Sequence, residues 1–238
     1  MRGGISPGRR RAAGLVLTIV GALATGAMAW AGTTGNPTIT AVNQDSFEFV
    51  PPEVGPGSRV DFSNQDPGVT HNVTADEKGP DGKALFRSEN IVGVDLAEVK
   101  GVPFLEPGSY EFLCTIHPNM QDTLNIGGDG PGTVPRPSIE VKVKSKKLAK
   151  VVESGKLKVK VSADEPTDAD GVTLRAKKGA KGITKKARLN VNAGDSKTAK
   201  LKLKKKAAEK LAELEKAKVK VQGTVDFGFG DKASKKLK

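Results

Sequence analysis

The sequence predicts a nearly all-β protein made of two modules. Short runs of strand-forming residues alternate with polar ones, glycine and proline separate the runs, and no long helical period occurs before residue 200. The 238 residues suffice for two ordinary domains. We expect an antiparallel sandwich or Greek-key barrel of about 95 residues, followed by a second β-sandwich.

The first 31 residues read as an export signal. Four arginines precede an apolar stretch over residues 15–31, which ends in the small-residue pattern Ala-Trp-Ala. An uncleaved membrane anchor is the alternative, since about 17 apolar or small residues are marginal for spanning a bilayer. The small residues at its end are typical of a signal-peptide cleavage site, which favours removal of this segment over its retention as an anchor. We therefore expect an exported protein, periplasmic or extracellular and associated with the cell wall, with no stable membrane span.

Charge divides the rest of the chain. Residues 32–135 hold 5 basic and 15 acidic side chains, whereas residues 136–238 hold 30 basic and 12 acidic. The joint falls in residues 127–137, a run so rich in glycine and proline that it predicts a linker without regular structure. An acidic module is thus joined to a strongly basic one, and the two should have different partners.

Six strands are expected in the acidic module. Their predicted ranges are Thr38–Val42, Ser46–Phe49, Arg59–Asn64, His71–Ala75, Ser109–Thr115 and Thr123–Ile126. In the fifth strand Tyr110, Phe112 and Cys114 stand at every second position, so they point to one face. This places the cysteine sulfur on the core side of the strand, beside aromatic rings.

In the basic module, apolar residues at every second position have lysines between them. This pattern indicates strands that bury one face and expose the other. The predicted strands are Val141–Lys144, Leu157–Val161, Val172–Arg175, Leu189–Val191, Leu201–Leu203 and Val219–Val221, with a short helix over Lys205–Lys216. In their alternating residue pattern and order of elements, residues 138–238 resemble the Ig-like or fibronectin-like sandwich modules of secreted bacterial proteins, although no specific motif supports the likeness.

Four side chains carry the candidate chemistry. After the leader the chain holds two histidines, one cysteine and one methionine: His71, Cys114, His117 and Met120. A thiolate, two imidazoles and a thioether are the donors of a type 1 (blue) copper site, which is trigonal His₂Cys with a long axial Met. The spacing Cys-x₂-His-x₂-Met puts three donors on one loop, and His71 must come from elsewhere in the fold. We expect one copper per chain.

Other readings of these four residues fit less well. A multicopper oxidase or a nitrite reductase needs further histidines, and a cysteine protease needs a histidine base held by a third group. A structural zinc site prefers several thiolates or histidines and no methionine. Burial of Cys114 as a small hydrophobe would leave the adjacent histidine and methionine unexplained. We expect no enzyme.

The run from Gly108 to Met120, together with Thr70–Val73 upstream, resembles the cupredoxins over residues 36–126, and within them the plastocyanin, pseudoazurin and amicyanin group. The two-residue gap between His117 and Met120 is most similar to amicyanin. The resemblance implies that His71, Cys114 and His117 are strong equatorial ligands and Met120 a weak axial one. It also implies that electrons pass through His117 to a redox partner docking at that edge.

The resemblance further implies that the backbone N–H of Asn72 reaches the thiolate and that its side chain braces the loop near Thr115. Asn72 also begins a glycosylation sequon, which is the weaker alternative. Ile116 departs from the proline of many relatives and keeps an N–H that could donate to the Cys114 sulfur. Gln121 replaces a glycine often found after the methionine, so the geometry of the following turn is not predicted.

The expected function is an exported one-electron carrier. A copper chaperone or scavenger without electron transfer is the alternative, and a structural wall protein with a vestigial fold is a third. The acidic module would steer a basic redox partner over about 8 Å at physiological ionic strength. For the basic module, a solvated lysine face and adhesion to an anionic cell-wall polymer both stay open. Nucleic acid is discounted because the protein is expected to be exported, arginine is scarce and stacking aromatics are absent.

Overall fold

Two separate hydrophobic cores divide the chain into an N-terminal and a C-terminal lobe. The computed structural model describes residues 35–42, 48–167 and 171–238, so the leader predicted over residues 1–31 lies outside it. Nearly all regular structure in the described residues is strand, which confirms the all-β prediction. No helix among these residues is long and apolar enough to cross a membrane.

The N-terminal lobe, residues 35–126, is a two-layered β-structure. A four-stranded sheet has the order β2-β1-β3-β7, in which β1 and β3 run parallel; β5-β8-β9 form an antiparallel sheet and β4 pairs with β6. The strands are β1 (Thr38–Val42), β2 (Glu48–Val50), β3 (Asp61–Asn64), β4 (Thr70–His71), β5 (Thr74–Ala75), β6 (Ile91–Val92), β7 (Asp95–Glu98), β8 (Gly108–Leu113) and β9 (Gln121–Ile126), with a 3₁₀ turn at Val102–Phe104.

Aromatic rings from both sheets fill the core of this lobe. The ring of Phe49 on β2 lies 4.9 Å from Phe112 on β8 and 6.2 Å from Phe62 on β3, measured between centroids. Phe86 meets Phe112 edge to face at 6.1 Å. Tilted and edge-to-face pairs of this kind add to the burial of apolar area. They fix the distance between the sheets, and the ligand loop emerges from one end of this stack.

Two details differ from the sequence-based strands. The predicted strand His71–Ala75 is divided into β4 and β5, which belong to different sheets, so the chain crosses between the layers at Asn72 and Val73. Strands β6 and β7 were not predicted. Most of their residues are exposed and β7 carries two acidic side chains in four positions, so no apolar alternation marks it. Pairing with β4 and β3 makes them strands.

The C-terminal lobe, residues 138–238, is a sandwich of two antiparallel sheets. One has the order β10-β11-β15; the other has the order β13-β12-β16-β17, with β14 also paired to β12. Its elements are β10 (Ile139–Val143), α1 (Leu148–Ser154), β11 (Lys156–Ala163), β12 (Val172–Lys178), β13 (Lys181–Gly182), β14 (Ala187–Leu189), β15 (Ser196–Lys202), α2 (Lys205–Ala212), β16 (Ala217–Val225) and β17 (Asp231–Leu237).

Helix α1, the two-residue strand β13 and strand β17 were not predicted from the sequence. Helix α1 has only seven residues, buries Leu148 and Val151, and ends at Gly155 with a left-handed φ of 61°. Strand β17 is rich in lysine and fully buries only Leu237, so its pairing with β16 makes it a strand. Helix α2 ends at Ala212, four residues earlier than predicted.

Residues 127–137 form no regular element but lie against the N-terminal lobe. The N–H of Gly132 donates to the Pro56 carbonyl and the N–H of Val134 to the Pro103 carbonyl, each at 2.9 Å. The half-buried Arg136 donates to the Phe227 carbonyl at 2.9 Å. Burial lowers the pKa of its guanidinium, which the negative charge of Asp81 opposes.

The turn between β16 and β17 forms the centre of the contact between the lobes. Asp226 accepts from Arg87 at 3.0 Å and also pairs with Lys83. The ring of Phe227 stacks on Phe104 with centroids 6.3 Å apart, and the Arg87 guanidinium lies 4.1 Å above it. An acid of the basic lobe thus meets bases of the acidic lobe, so the local charges at the contact are the reverse of the net charges.

Backbone conformation on both sides adapts to this ring. Phe227 has a φ of 58°, and its N–H donates to the Asp81 carboxylate at 3.1 Å. Opposite it, Gly101 has a φ of 100°, and a Cβ at that position would stand 2.7 Å from the Phe227 ring. Glycine is required there both by conformation and by space.

We predict that Phe227→Ala lowers the free energy of unfolding by about 3 kcal/mol, because a ring that is 2% exposed would leave a cavity between the lobes. Phe229→Ala is the matched control, since that ring is 53% exposed, and its effect should be within about 0.5 kcal/mol. Urea unfolding of both variants measures the difference. Equal effects would show that Phe227 does not hold the lobes together.

Candidate metal centre

Three metal-binding side chains meet at one end of the N-terminal lobe. His71 comes from the end of β4, Cys114 follows the last residue of β8, and His117 lies on the loop between β8 and β9. One donor atom from each lies within 4.8 Å of the other two. His71 and Cys114 are 0% exposed, whereas His117 is partly exposed.

The donor atoms form a small triangle with two similar sides. Cys114 Sγ lies 3.8 Å from Nδ1 of His71 and 3.7 Å from Nδ1 of His117, and the two nitrogens are 3.2 Å apart. The point equidistant from these atoms is about 2.1 Å from each of them, which is the length of a typical bond between a transition metal and a histidine nitrogen. The three side chains therefore lie close to the positions that one metal ion requires.

A buried carboxylate orients His71. Nε2 of His71 lies 3.2 Å from Oδ2 of Asp66, and the two side chains are 0% and 2% exposed. A carboxylate only accepts hydrogen bonds, so Nε2 carries the hydrogen and donates it. In the neutral ring this leaves the lone pair on Nδ1, which is the atom that faces Cys114 and His117. A carboxylate behind a histidine ligand fixes its tautomer and makes it a stronger donor.

Asn64 holds the segment that carries Asp66. Its side chain is fully buried at the end of β3 and donates to the carbonyls of Val69 at 2.9 Å and Ile91 at 3.1 Å. Its carbonyl oxygen accepts from the Asp66 N–H at 2.9 Å. Because each donor and acceptor of this amide has a partner, the turn between β3 and β4 has a defined path. This path brings the Asp66 carboxylate to the Nε2 edge of the His71 ring.

The ligand loop closes on itself between β8 and β9. The N–H of His117 donates to the Cys114 carbonyl at 3.2 Å, that of Met120 to the His117 carbonyl at 2.8 Å, and that of Cys114 to the Met120 carbonyl at 3.0 Å. Two consecutive turns thus bring the ends of the loop together. Gln121, which replaces a glycine often found at this position, begins β9. Its side chain donates to the Pro118 carbonyl at 2.7 Å and so stabilises the turn after Met120.

Asn72 ties the two ligand segments together. Its side-chain oxygen accepts from the Thr115 N–H at 3.0 Å, and its amide nitrogen donates to Thr115 Oγ1 and to Asn90 Oδ1, each at 2.7 Å. The predicted brace near Thr115 is therefore present in the structure. Bonds from the backbone N–H groups of Asn72 and Ile116 to the Cys114 sulfur stay predictions.

The fourth predicted donor, Met120, is 2% exposed and belongs to the same core as Cys114. Its backbone closes the ligand loop, while the axial role of its thioether stays a prediction. Around the partly exposed His117, Ile116 is 41% exposed and Pro118 is exposed. The site is therefore buried except at one imidazole, which reaches the surface among apolar neighbours.

Sequence reasoning found the three converging donors and missed Asp66. One signal was available, since an aspartate five residues before a histidine, with proline and glycine between them, can turn back toward that ring. Such a pair is common in turns that bind nothing. Only the burial of both side chains distinguishes this one.

The fold and site together define an all-β protein whose first lobe holds a largely buried His₂Cys cluster with the donors and spacing of a metal site. No model of a known protein family matches the chain, and no curated protein matches it. Solved structures of amicyanin are similar to part of it.

Amicyanin from Paracoccus versutus (Thiobacillus versutus) is 25% identical, with 41% of this chain and 86% of that chain covered and a TM-score of 0.31. The reduced Cu(I) form at pH 4 of an amicyanin mutant is 21% identical, with 41% and 87% covered and a TM-score of 0.32. The oxidised state of another mutant is 22% identical, with 39% and 83% covered and a TM-score of 0.32. Scores this low carry no functional argument, so the chemistry is argued from the residues of the site.

We predict that Asp66→Asn weakens binding of Co²⁺, a spectroscopic probe of the site, by about 10–100-fold, because the charge behind His71 is lost. Asp95→Asn removes the same charge from an exposed position of the same lobe and should leave the affinity unchanged. Absorption titrations of the full chain measure both. An unchanged affinity in Asp66→Asn would show that the pair does not support the site.

Proposed function

We propose that this protein is a mononuclear blue copper protein that carries single electrons. The observation that carries the proposal is the triangle of one sulfur and two imidazole nitrogens, whose centre lies about 2.1 Å from each atom, close to a metal–ligand bond length. Trigonal His₂Cys donors with a methionine on the same loop are the ligand set of type 1 copper. Copper, when bound, supplies the reversible one-electron change.

The choice of copper over zinc rests on the donors. Structural zinc sites are tetrahedral and closed by four thiolates or histidines, whereas the described residues offer only one such thiolate and two such nitrogens here. A thiolate beside a buried methionine favours Cu(I) and the imidazoles suit Cu(II), so the set tolerates both states. Met120 would be the weak axial ligand.

The protein's own contribution would be rigidity. Asp66 holds the ring of His71 and Asn72 holds the loop after Cys114, so hydrogen bonds within the protein restrain the donors. Restrained donors would move little between oxidation states, which speeds electron transfer. This supports an electron carrier over a chaperone, since a chaperone must release its metal to a partner and two of the donors are fully buried.

His117 would be the electron exit. It is the only one of the three clustered donors with an exposed surface, and Ile116 and Pro118 beside it present apolar side chains to solvent. Strand β6, paired with the strand of His71, adds Val92, which is 68% exposed. A redox partner with an apolar patch and basic groups would suit this end of an acidic lobe.

We further propose that the protein is exported and catalyses no reaction, and that its C-terminal lobe is an Ig-like module. The order of its sheets supports the last point. Reading β10 to β17 as strands A to G, with β13 and β14 as the C′ edge, gives A-B-E in one sheet and C′-C-F-G in the other, as in Ig-like sandwiches.

Copper loading tests the proposed function directly. The full chain should bind one copper and turn blue when oxidised, since Cys114 supplies the only thiolate for charge transfer. Cys114→Ser should abolish the colour, and the zinc-loaded wild type should be colourless as a control. A wild type that is colourless with copper, or a blue Cys114→Ser variant, would contradict the proposal. Titration followed by visible absorption measures both colour and stoichiometry.

Met120 should tune the metal more than hold it. We predict that Met120→Leu keeps copper and raises the reduction potential, because a weak axial ligand affects the potential more than the affinity. Cyclic voltammetry of the variant and the wild type measures the shift. Loss of copper from Met120→Leu would show that the thioether is a structural ligand and that the geometry is not type 1.

A further inference from the structure

The outer face of the five-stranded sheet in the C-terminal lobe is covered by exposed cations. The pleat sends Arg175 and Lys177 of β12 outward, while their neighbours Leu174 and Ala176 are buried. The same alternation and the strand register place further cations on that side. We call this set the basic face; it comprises Arg175, Lys177, Arg188, Lys218, Lys220, Lys232 and Lys236.

The register sets like charges directly opposite each other. Lys177 pairs with Lys220 across β12 and β16, and Lys218 pairs with Lys236 across β16 and β17. Opposed like charges on one sheet face are destabilising. Within the described ranges, no carboxylate forms an ion pair with any cation of the basic face. The sheet therefore maintains a concentration of positive charge that folding alone does not favour.

One end of the basic face deepens into a cleft of about 320 Å³ against the N-terminal lobe. Its walls carry Arg175 and Arg188 from the sheet, Lys186 from the segment just before β14, and Lys83 from the N-terminal lobe. Among the described residues that line the cleft, the one carboxylate is that of Asp226, which is already paired with Lys83 and Arg87. The cleft gives an anionic chain a concave end point on an otherwise flat surface.

The neutral residues of the same face indicate the chemistry of the partner. Thr173, Gln222, Thr224 and Ser234 share it with the cations, and none of them is aromatic. Single-stranded nucleic acids are bound by stacking their bases on aromatic rings. Five of the seven cations are lysines, which act as point charges, whereas arginine gives planar bidentate recognition. The surface therefore suits repeated phosphates without bases.

From this face and its cleft we infer that the C-terminal lobe binds a phosphate-linked polymer of the cell envelope, of the poly(glycerol phosphate) type. An extended polymer can follow the rows of cations along the sheet and end in the cleft. Binding releases the counterions that the opposed lysines hold, which favours association at low salt. The inference rests on the proposed export but does not involve the copper ligands, so its failure is distinguishable from failure of the copper proposal.

The test uses the full chain, with poly(glycerol phosphate) as the probe, and measures binding calorimetrically at several salt concentrations. Substituting Lys177, Lys218, Lys220 and Lys236 with Gln should weaken binding on the order of 100-fold at 0.1 M salt, and should make log K less dependent on log salt by about 3. Circular dichroism confirms that the variant is folded.

The matched control substitutes four exposed lysines of the helices with Gln: Lys150, Lys205, Lys206 and Lys210. It makes the same change in net charge and should weaken binding less than about tenfold. Equal losses in the two variants would show that only net charge matters and would overturn the basic face. Failure of the wild type to bind at low salt, or tighter binding of single-stranded DNA with an equal number of phosphates, would overturn the assignment of the partner.

Discussion

The side chain of Asn72 joins the two segments that the metal centre needs. Thr115 stands 43 residues further along the chain, and the amide of Asn72 both accepts from its N–H and donates to its hydroxyl. A loop bearing only Cys114 and His117 offers two donors on a mobile hairpin. The hydrogen bonds between Asn72 and Thr115 hold this loop beside the strand of His71. As a result, the three donor atoms lie at bonding distance from one point. The aromatic stack beneath holds the two sheets in the spacing that makes the tie possible.

The pair of Asp66 and His71 sets the orientation of one donor of the site. Burying a carboxylate against an imidazole costs desolvation energy that the mutual attraction barely recovers, so such a pair is weak evidence for stability. Here the pair is almost completely removed from solvent, and Asn64 supports it from behind. Its clear consequence is geometric, since it turns Nδ1 toward the sulfur. A proposed copper carrier gains from that, because fixed donors reduce the rearrangement between oxidation states.

Charge has different uses in the two lobes. In β12 and β16 of the C-terminal sandwich, exposed cations alternate with buried apolar residues, so the same residues that make these strands amphipathic also create the basic face. At the contact between the lobes, Asp226 is placed between Lys83 and Arg87, against the net charge of each lobe. Specific pairing therefore decides where the lobes touch, and net charge decides what else each surface can attract.

The sequence by itself determined the donor set, the β class and the division of charge. Donor chemistry is a property of residue type, and the Cys-x₂-His-x₂-Met spacing is local, so neither requires knowledge of the fold. Strands with one buried face, such as β11 and β16, show a period of two that can be read directly. Strands β6 and β7 lack that period, and pairing with the earlier strands β4 and β3 makes them strands. Strand β17 is rich in lysine, and pairing with the neighbouring β16 makes it a strand.

Tertiary structure alone decided how these parts meet. It divided one predicted strand into β4 and β5 and so placed His71 and Asn72 where the layers change. It also placed the Asp66 carboxylate at the Nε2 edge of the His71 ring and packed the Phe227 ring against Gly101. Each of these features depends on burial and on contacts between residues distant in sequence. Local propensity and spacing carry no signal for such contacts, because the same residues in an exposed turn would not form them.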